Sequence, residues 1–336
     1  MGRQNLKAFC LDWHIDRSPA LRDLLLRPLE PFCDIELVAW DGATVPDVGL
    51  DPSSPTIFCQ LPPPPSLLND EQRKLVWIPM WDQARGYEQS WWNAIPKSLR
   101  VVSFSTQIQL RTSASGLTSL PLRYFKDPGA LSPASWSQGC ILFYWNRTGM
   151  VGPTFLRKLC KALDARELLF LNRIDPRIDA RAHFSLPSHL GKTAVTTLSI
   201  SAQADYLEAT RSANVFIAPR AAEGVGLSFL EAMSRGSAVL AYNAPTMNEY
   251  IEDAINGILF SSEPVTEPPR VVNKLARMLS RDRHPYNYYL TDRQDWSRIK
   301  GLDLRALGLR ARLDHETGYA RWQKSIPDYF DFISDW

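Results

Sequence analysis

The stretch that decides the reading is Asn214-Val-Phe-Ile-Ala-Pro-Arg-Ala-Ala-Glu-Gly-Val-Gly-Leu-Ser-Phe-Leu-Glu-Ala-Met-Ser-Arg-Gly236. Val215 to Ala218 is a short β-rich apolar run that stops at Pro219, the pattern of a buried strand. Gly224 and Gly226 mark a turn. Leu227, Leu230 and Glu231 then recur at three- and four-residue spacing, as on a helix of about ten residues that Gly236 closes in the C′ position. Ser237-Ala-Val-Leu-Ala-Tyr242 supplies the next strand, completing a β-loop-α-β unit. Such a loop leaves backbone N–H groups unpaired at a helix N-terminus, with the positive end of the helix dipole behind them. A phosphate fits there, and Arg220 and Arg147 are cations that add to its attraction. Glu223 in the loop and Glu231 on the helix flank this anion site. Their carboxylates accept hydrogen bonds from hydroxyls, so a ligand with a phosphate at its centre and hydroxyls at its ends is expected.

Outward from this unit, short apolar runs alternate with helical patterns. Before it come Lys7–Leu11, Asp34–Trp40, Thr56–Gln60, Leu75–Met80 and Arg100–Phe104, then Ile141–Trp145 and Glu167–Leu171. Helical spacing follows Ser18 through Leu21, Leu24, Leu25 and Leu29, and recurs at Phe155-Leu156-Leu159, at Ala204 to Ser212 and, as a basic amphipathic stretch, at Arg270 to Arg281. Pro62 to Pro65 is a stiff loop, and the polar stretch Arg173 to Lys192 reads as loop. Alternation of this kind predicts parallel sheets covered by helices. Between Lys126 and Gly139 the composition turns to Pro, Gly, Ser and Ala, which places a domain boundary there. The expected plan is a domain over 1–130, a second over 139–318 and a segment 319–336 packing back on the first, with the two α/β halves facing across a cleft.

Composition narrows the function. The 336 residues are 22% charged and 45% hydrophobic, enough for packed cores. Lys+Arg of 38 against Asp+Glu of 36 argues against a nucleic-acid binder. No apolar run approaches a membrane span, and the N-terminal residues do not read as a signal peptide, so a cytoplasmic protein is expected. The five cysteines are scattered without paired spacing, which supports neither disulfides nor a zinc site. Most of the eleven tryptophans are expected in the core, with a few offering flat faces to a sugar.

Glu223-x7-Glu231, inside Pro219-Arg-x-x-Glu-Gly-x-Gly-Leu-x-x-Leu-Glu-Ala-Met-x-x-Gly236, resembles the donor-site signature of retaining GT-B glycosyltransferases, above all family 4. The run Asn248-Glu-Tyr-Ile-Glu-Asp-Ala-Ile-Asn-Gly-Ile-Leu259 is similar to that family's continuation. The close likeness covers residues 203–260; residues 139–202 agree in element order and the first half in architecture. The resemblance implies a GT-B fold of two Rossmann-like domains and transfer of a sugar from a nucleotide-sugar to an acceptor hydroxyl with retention. It implies Glu231 on the ribose hydroxyls and Glu223 beside the donor sugar. Gly224, Val225, Gly226 and Leu227, with Arg220, would face the diphosphate or sugar, and Arg147 would stabilise the leaving phosphate without a metal or other cofactor. Partners implied are the nucleotide-sugar and a carbohydrate or lipid-linked acceptor, as in polysaccharide biosynthesis, the latter with peripheral membrane contact. Two departures stand out: Leu11-Asp-Trp-His-Ile-Asp-Arg17 replaces a glycine-rich loop, and Trp145-Asn-Arg-Thr-Gly-Met-Val151 replaces the family's Gly-Arg-Leu and its following lysine.

On the acceptor side, Asp12, His14 and Asp16 alternate. On a strand they would share a face and suit a metal; in a loop, His14 or Asp16 would line the acceptor. Asp82, just after a strand, would orient an acceptor hydroxyl or equally cap the following helix. Two other readings stay open: a nucleotide-sugar epimerase on the same fold, and a catalytically inactive carbohydrate-binding module.

Overall fold

A computed structural model describes residues 3–17, 19–42, 44, 48–148, 151–174, 183–200, 203–260 and 294–336. The amphipathic stretch Arg270 to Arg281 and Ser18 lie outside them. The chain forms two compact units, one of Met1–Tyr124 with Ala320–Trp336 and one of Phe125–Tyr319.

The first unit is built on six parallel strands: β1 (Gln4–Leu11), β2 (Cys33–Trp40), β3 (Thr56–Cys59), β4 (Leu75–Ile78), β5 (Arg100–Ser103) and β6 (Ser119–Pro121). Their order is β2-β1-β3-β4-β5-β6, so the winding reverses between β1 and β3. β3 and β4 are buried at every residue, whereas the edge strands β2 and β6 alternate or stay half-exposed. Continuous apolar runs belong to central strands covered on both faces. Trp40, Trp77, Trp81 and Trp92 are all buried in the core of this unit around Phe9 and Phe58.

The second unit carries β7 (Ile141–Trp145), β8 (Glu167–Leu171), β9 (His189–Leu190), β10 (Thr193–Leu198), β11 (Val215–Ile217), β12 (Ala238–Tyr242) and β13 (Ile258–Phe260). They run in the order β13-β12-β11-β7-β8-β10-β9, parallel except for β9 on β10. The stretch expected as loop between Arg173 and Lys192 therefore contains β9. β10 has no counterpart in the sequence reading either, because its mixed Thr and apolar residues are only partly buried. Among the described residues no helix is long and apolar enough to cross a membrane.

A second difference lies at Asp12–Arg17, which is helical rather than loop. Residues two apart on a helix point roughly 200° from one another. The alternation of Asp12, His14 and Asp16 thus does not put all three on one face: Asp12 and Asp16 fall four apart on one side and His14 on the other. The segment 319–336, expected to pack back on the first domain, is the last part of one longer helix, Leu304–Ser334, with Pro327 inside it.

From Ala320 onward this long helix belongs to the first unit. Trp322, Tyr329 and Ile333 are buried there, with the Trp322 ring edge-on to Tyr124. The Tyr329 hydroxyl donates to the Leu25 carbonyl at 2.9 Å. Burial raises this phenol well above its ordinary pKa, so it remains a donor throughout the working pH range. Replacing Tyr329 with Phe orphans a buried carbonyl, and is expected to cost about 1–3 kcal/mol in urea unfolding with the fold retained.

Candidate functional site

The site grows from the loop between β11 and the helix Leu227–Arg235, hereafter the site helix. Gly226 is its N-cap, with φ 80° and no side-chain cap, and Gly236 ends it in the left-handed conformation. A Cβ at Gly226 would stand 1.9 Å from the Phe229 ring, so the ring occupies the space a side chain would need. Phe229 and Leu230 donate their N–H groups to the Gly226 carbonyl, each at 3.2 Å, so those left at the mouth for a ligand or water are Leu227 and Ser228. The loop is pinned from outside. Thr246 donates to the Glu223 carbonyl at 2.8 Å, and Thr148, just past β7, donates to the Pro219 carbonyl at 3.2 Å.

Glu223 lies ahead of the helix, in the loop, and only 7% of it is exposed. Its Oε2 is 3.6 Å from Arg220 Nη1. Glu231 sits one turn into the site helix, and its Oε1 accepts from Lys126 Nζ at 2.5 Å. Each glutamate therefore carries its own cation. Arg147 follows β7 and lies over the Trp145 ring, 4.7 Å from its centroid. Tyr206, on the helix Gln203–Ser212, reports how closely these charges gather. Burial first and then the Glu231 carboxylate raise its phenol above the ordinary value; Arg235 and Arg147 act the other way, and Glu223 adds to the rise. Glu223, Glu231, Arg147 and Arg235 thus all lie within electrostatic reach of one hydroxyl. Among the described residues no group of three or more His, Cys, Asp or Glu could hold a metal ion.

Lys126 is the site residue that sequence reasoning missed; it lies in the stretch read as linker. Its carbonyl accepts from His315 Nε2 on the long helix at 2.7 Å. The neighbouring Phe125 ring stands edge-on to His315 and to Tyr250, and Tyr250 stands edge-on to Phe229 under the helix mouth. A Cβ at Gly318 would meet the Phe125 ring at 2.3 Å, so that glycine is what lets the long helix come this close.

In the first unit, His14 and Asp82 come together although 68 positions of sequence separate them. His14 is 7% exposed; burial lowers its pKa, while the Gln60 side chain and the Asp82 carboxylate push it back up. His14 follows β1, Gln60 follows β3 and Asp82 lies in the first turn after β4, so all three stand at the carboxyl ends of strands beside the reversal of winding. Ligands bind at this place in open parallel sheets. Asp82 is inside its short helix, whose N-cap is Met80. The Asp16 side chain lies outside the described ones.

Two outcomes follow from this geometry. Gly226→Ala combines a strained φ with a clash against Phe229, and is expected to lower stability by about 2 kcal/mol or more in thermal or urea unfolding. Pairing it with Phe229→Ala relieves the clash but not the strain, so the two losses should be less than additive. The second concerns pH. His315 Nδ1 is buried without a partner, Nε2 is committed to Lys126, and burial holds the ring below its ordinary pKa of 6.5 against the backbone bond and Glu316. The unfolded chain then binds more protons just below pH 6.5, so stability is full above that value and falls as the pH drops. His14 acts in the same direction. Unfolding measured from pH 7.5 to 5 (a range chosen about the ordinary His value) should show this slope, and His315→Gln should flatten part of it.

Residues 188–291 match the family model described as glycosyl transferases group 1. No curated protein matches the sequence. Among solved structures, a sucrose-phosphate synthase from Thermosynechococcus elongatus is similar at a TM-score of 0.60 and 12% identity, over 98% of each chain. A glycosyltransferase from Rickettsia africae gives 0.56 and 12% over the whole of both chains. HepE from Anabaena, solved with UDP and glucose, gives 0.52 and 13%, over 97% of this chain and 99% of the other. The chain has the GT-B fold of two Rossmann-like domains, and the group 1 match supports a glycosyltransferase.

Proposed function

We propose that the chain is a retaining glycosyltransferase that moves a sugar from a nucleotide-sugar to an acceptor hydroxyl, without a metal. What supports this reading is the uncapped mouth of the site helix with Glu223 in its loop and Glu231 on its first turns, and with Arg147 and both glutamates in electrostatic reach of Tyr206. The helix N–H groups and Arg147 would stabilise the departing phosphate as charge develops on it. Glu231 would take ribose hydroxyls and Glu223 would lie beside the sugar. The bond from the anomeric carbon to the acceptor oxygen forms on the face from which the phosphate oxygen leaves, and that oxygen takes the acceptor's proton. No carboxylate nucleophile is needed, in contrast to glycoside hydrolysis. His14 and Asp82 of the first unit would receive the acceptor, a carbohydrate or a lipid-linked saccharide, with Asp82 orienting its hydroxyl. HepE shares the fold and was solved with UDP, so uridine nucleotides are the first donors to test.

The test compares two substitutions. Glu231→Gln removes the charge that would hold ribose hydroxyls, and should weaken binding of UDP and UDP-sugar alike by about 1–3 kcal/mol, or 5- to 150-fold. Glu223→Gln should leave UDP affinity near normal and lower turnover. Calorimetry and a transfer assay with product analysis read both, with unfolding curves confirming the fold. UDP affinity untouched by Glu231→Gln in a folded protein would remove the donor-site assignment. The same assay separates transfer from isomerisation of the nucleotide-sugar, the epimerase outcome, and from binding without turnover.

A further inference from the structure

We infer that Lys126 is a diphosphate-binding residue of the donor site, held on Glu231 when the site is empty and shared with the nucleotide's phosphates when it is filled. This rests on the donor-site reading above and adds to it a residue 105 positions from Glu231 in the chain.

Root and tip of Lys126 behave differently. The root is fixed by the His315 bond to its carbonyl and by Phe125, wedged between His315, Tyr250 and Gly318. The tip is about one-third exposed and makes a single hydrogen bond among the described residues, to Glu231 Oε1. An ammonium has three donors, so two remain for a ligand. Glu231 Oε2 likewise takes no hydrogen bond from the described residues and stays open to a hydroxyl.

Position completes the argument. Side chains on a helix lean toward its N-terminus, so the Glu231 carboxylate lies over the turn that begins at Leu227. Five residues at 1.5 Å rise separate Glu231 from Gly226, roughly 7.5 Å along the axis. An ammonium beside that carboxylate is therefore placed roughly one helical turn from the N–H groups at the helix mouth. A nucleoside diphosphate presents a vicinal diol and, one short linker away, a chain of anionic oxygens. Carboxylate for the diol and ammonium for the phosphates is the matching pair. Its open donors let the ammonium take a phosphate while keeping its bond to Glu231.

The experiment measures uridine, UMP and UDP binding by calorimetry to the unsubstituted protein, Lys126→Met and Lys126→Arg. The backbone bond to His315 survives both substitutions. Lys126→Met should weaken UDP by roughly tenfold or more while uridine stays within about twofold, and Lys126→Arg should restore most UDP affinity. Equal weakening of uridine and UDP would make Lys126 only a positioning partner of Glu231 and overturn the inference, as would no change in either. Both results leave the donor site standing. Failure of the unsubstituted protein to bind any of the three, or their adenosine and guanosine counterparts, would overturn the donor site and this inference together.

Discussion

A single steric exclusion organises the second unit: no side chain can exist at residue 226, because the Phe229 ring already fills that volume. With φ at 80° the chain enters the site helix through a backbone shape that only glycine adopts cheaply. No cap side chain reaches the first turn, so the N–H groups of Leu227 and Ser228 remain directed at whatever lies in front. The same ring touches Tyr250, which touches Phe125, which supports Lys126. One close contact thus determines both the open mouth of the helix and the root of the cation beside it.

The charges around that mouth are arranged in pairs rather than as a field of one sign. Glu223 is nearly buried, and an isolated carboxylate there would carry a heavy desolvation cost, which Arg220 offsets. Glu231 and Lys126 are only part-buried and meet in one short hydrogen bond. Arg147, spread over the Trp145 ring, is held by a flat face.

How much of this the sequence discloses depends on how local the cause is. Ile141–Trp145 and Glu167–Leu171 are read to the residue, because unbroken apolar runs mark strands covered on both faces. Glu223, Gly226 and Glu231 are legible for a similar reason, since one loop and one helix carry them. Thr193–Leu198 escapes because, next to the two-residue strand that closes the sheet, it is only partly buried and shows neither a continuous nor an alternating apolar pattern. Asp12–Arg17 misleads because alternation of polar residues fits a strand as well as a loop until the backbone is known. Lys126 sits among the prolines and serines of a linker, and nothing local tells it from a solvated lysine. Its role is set by Glu231 and His315, each remote in sequence, and Gln60 between His14 and Asp82 is hidden in the same way.

The long helix has a bearing on how the protein is made. Tyr124 and Ala320 belong to the same compact unit, yet roughly two hundred residues of synthesis separate them. At about 5–20 residues per second, the six-stranded sheet waits some 10–40 s on the ribosome for the helix that supplies Trp322 and Tyr329. Meanwhile the apolar surface those rings will cover, beside Leu25 and Tyr124, is open to water or to other proteins. The second unit, continuous from Phe125 to Tyr319, is free of that delay. The half of the molecule translated first is therefore the half completed last, and in the cell its yield depends on what shelters that surface in the interval.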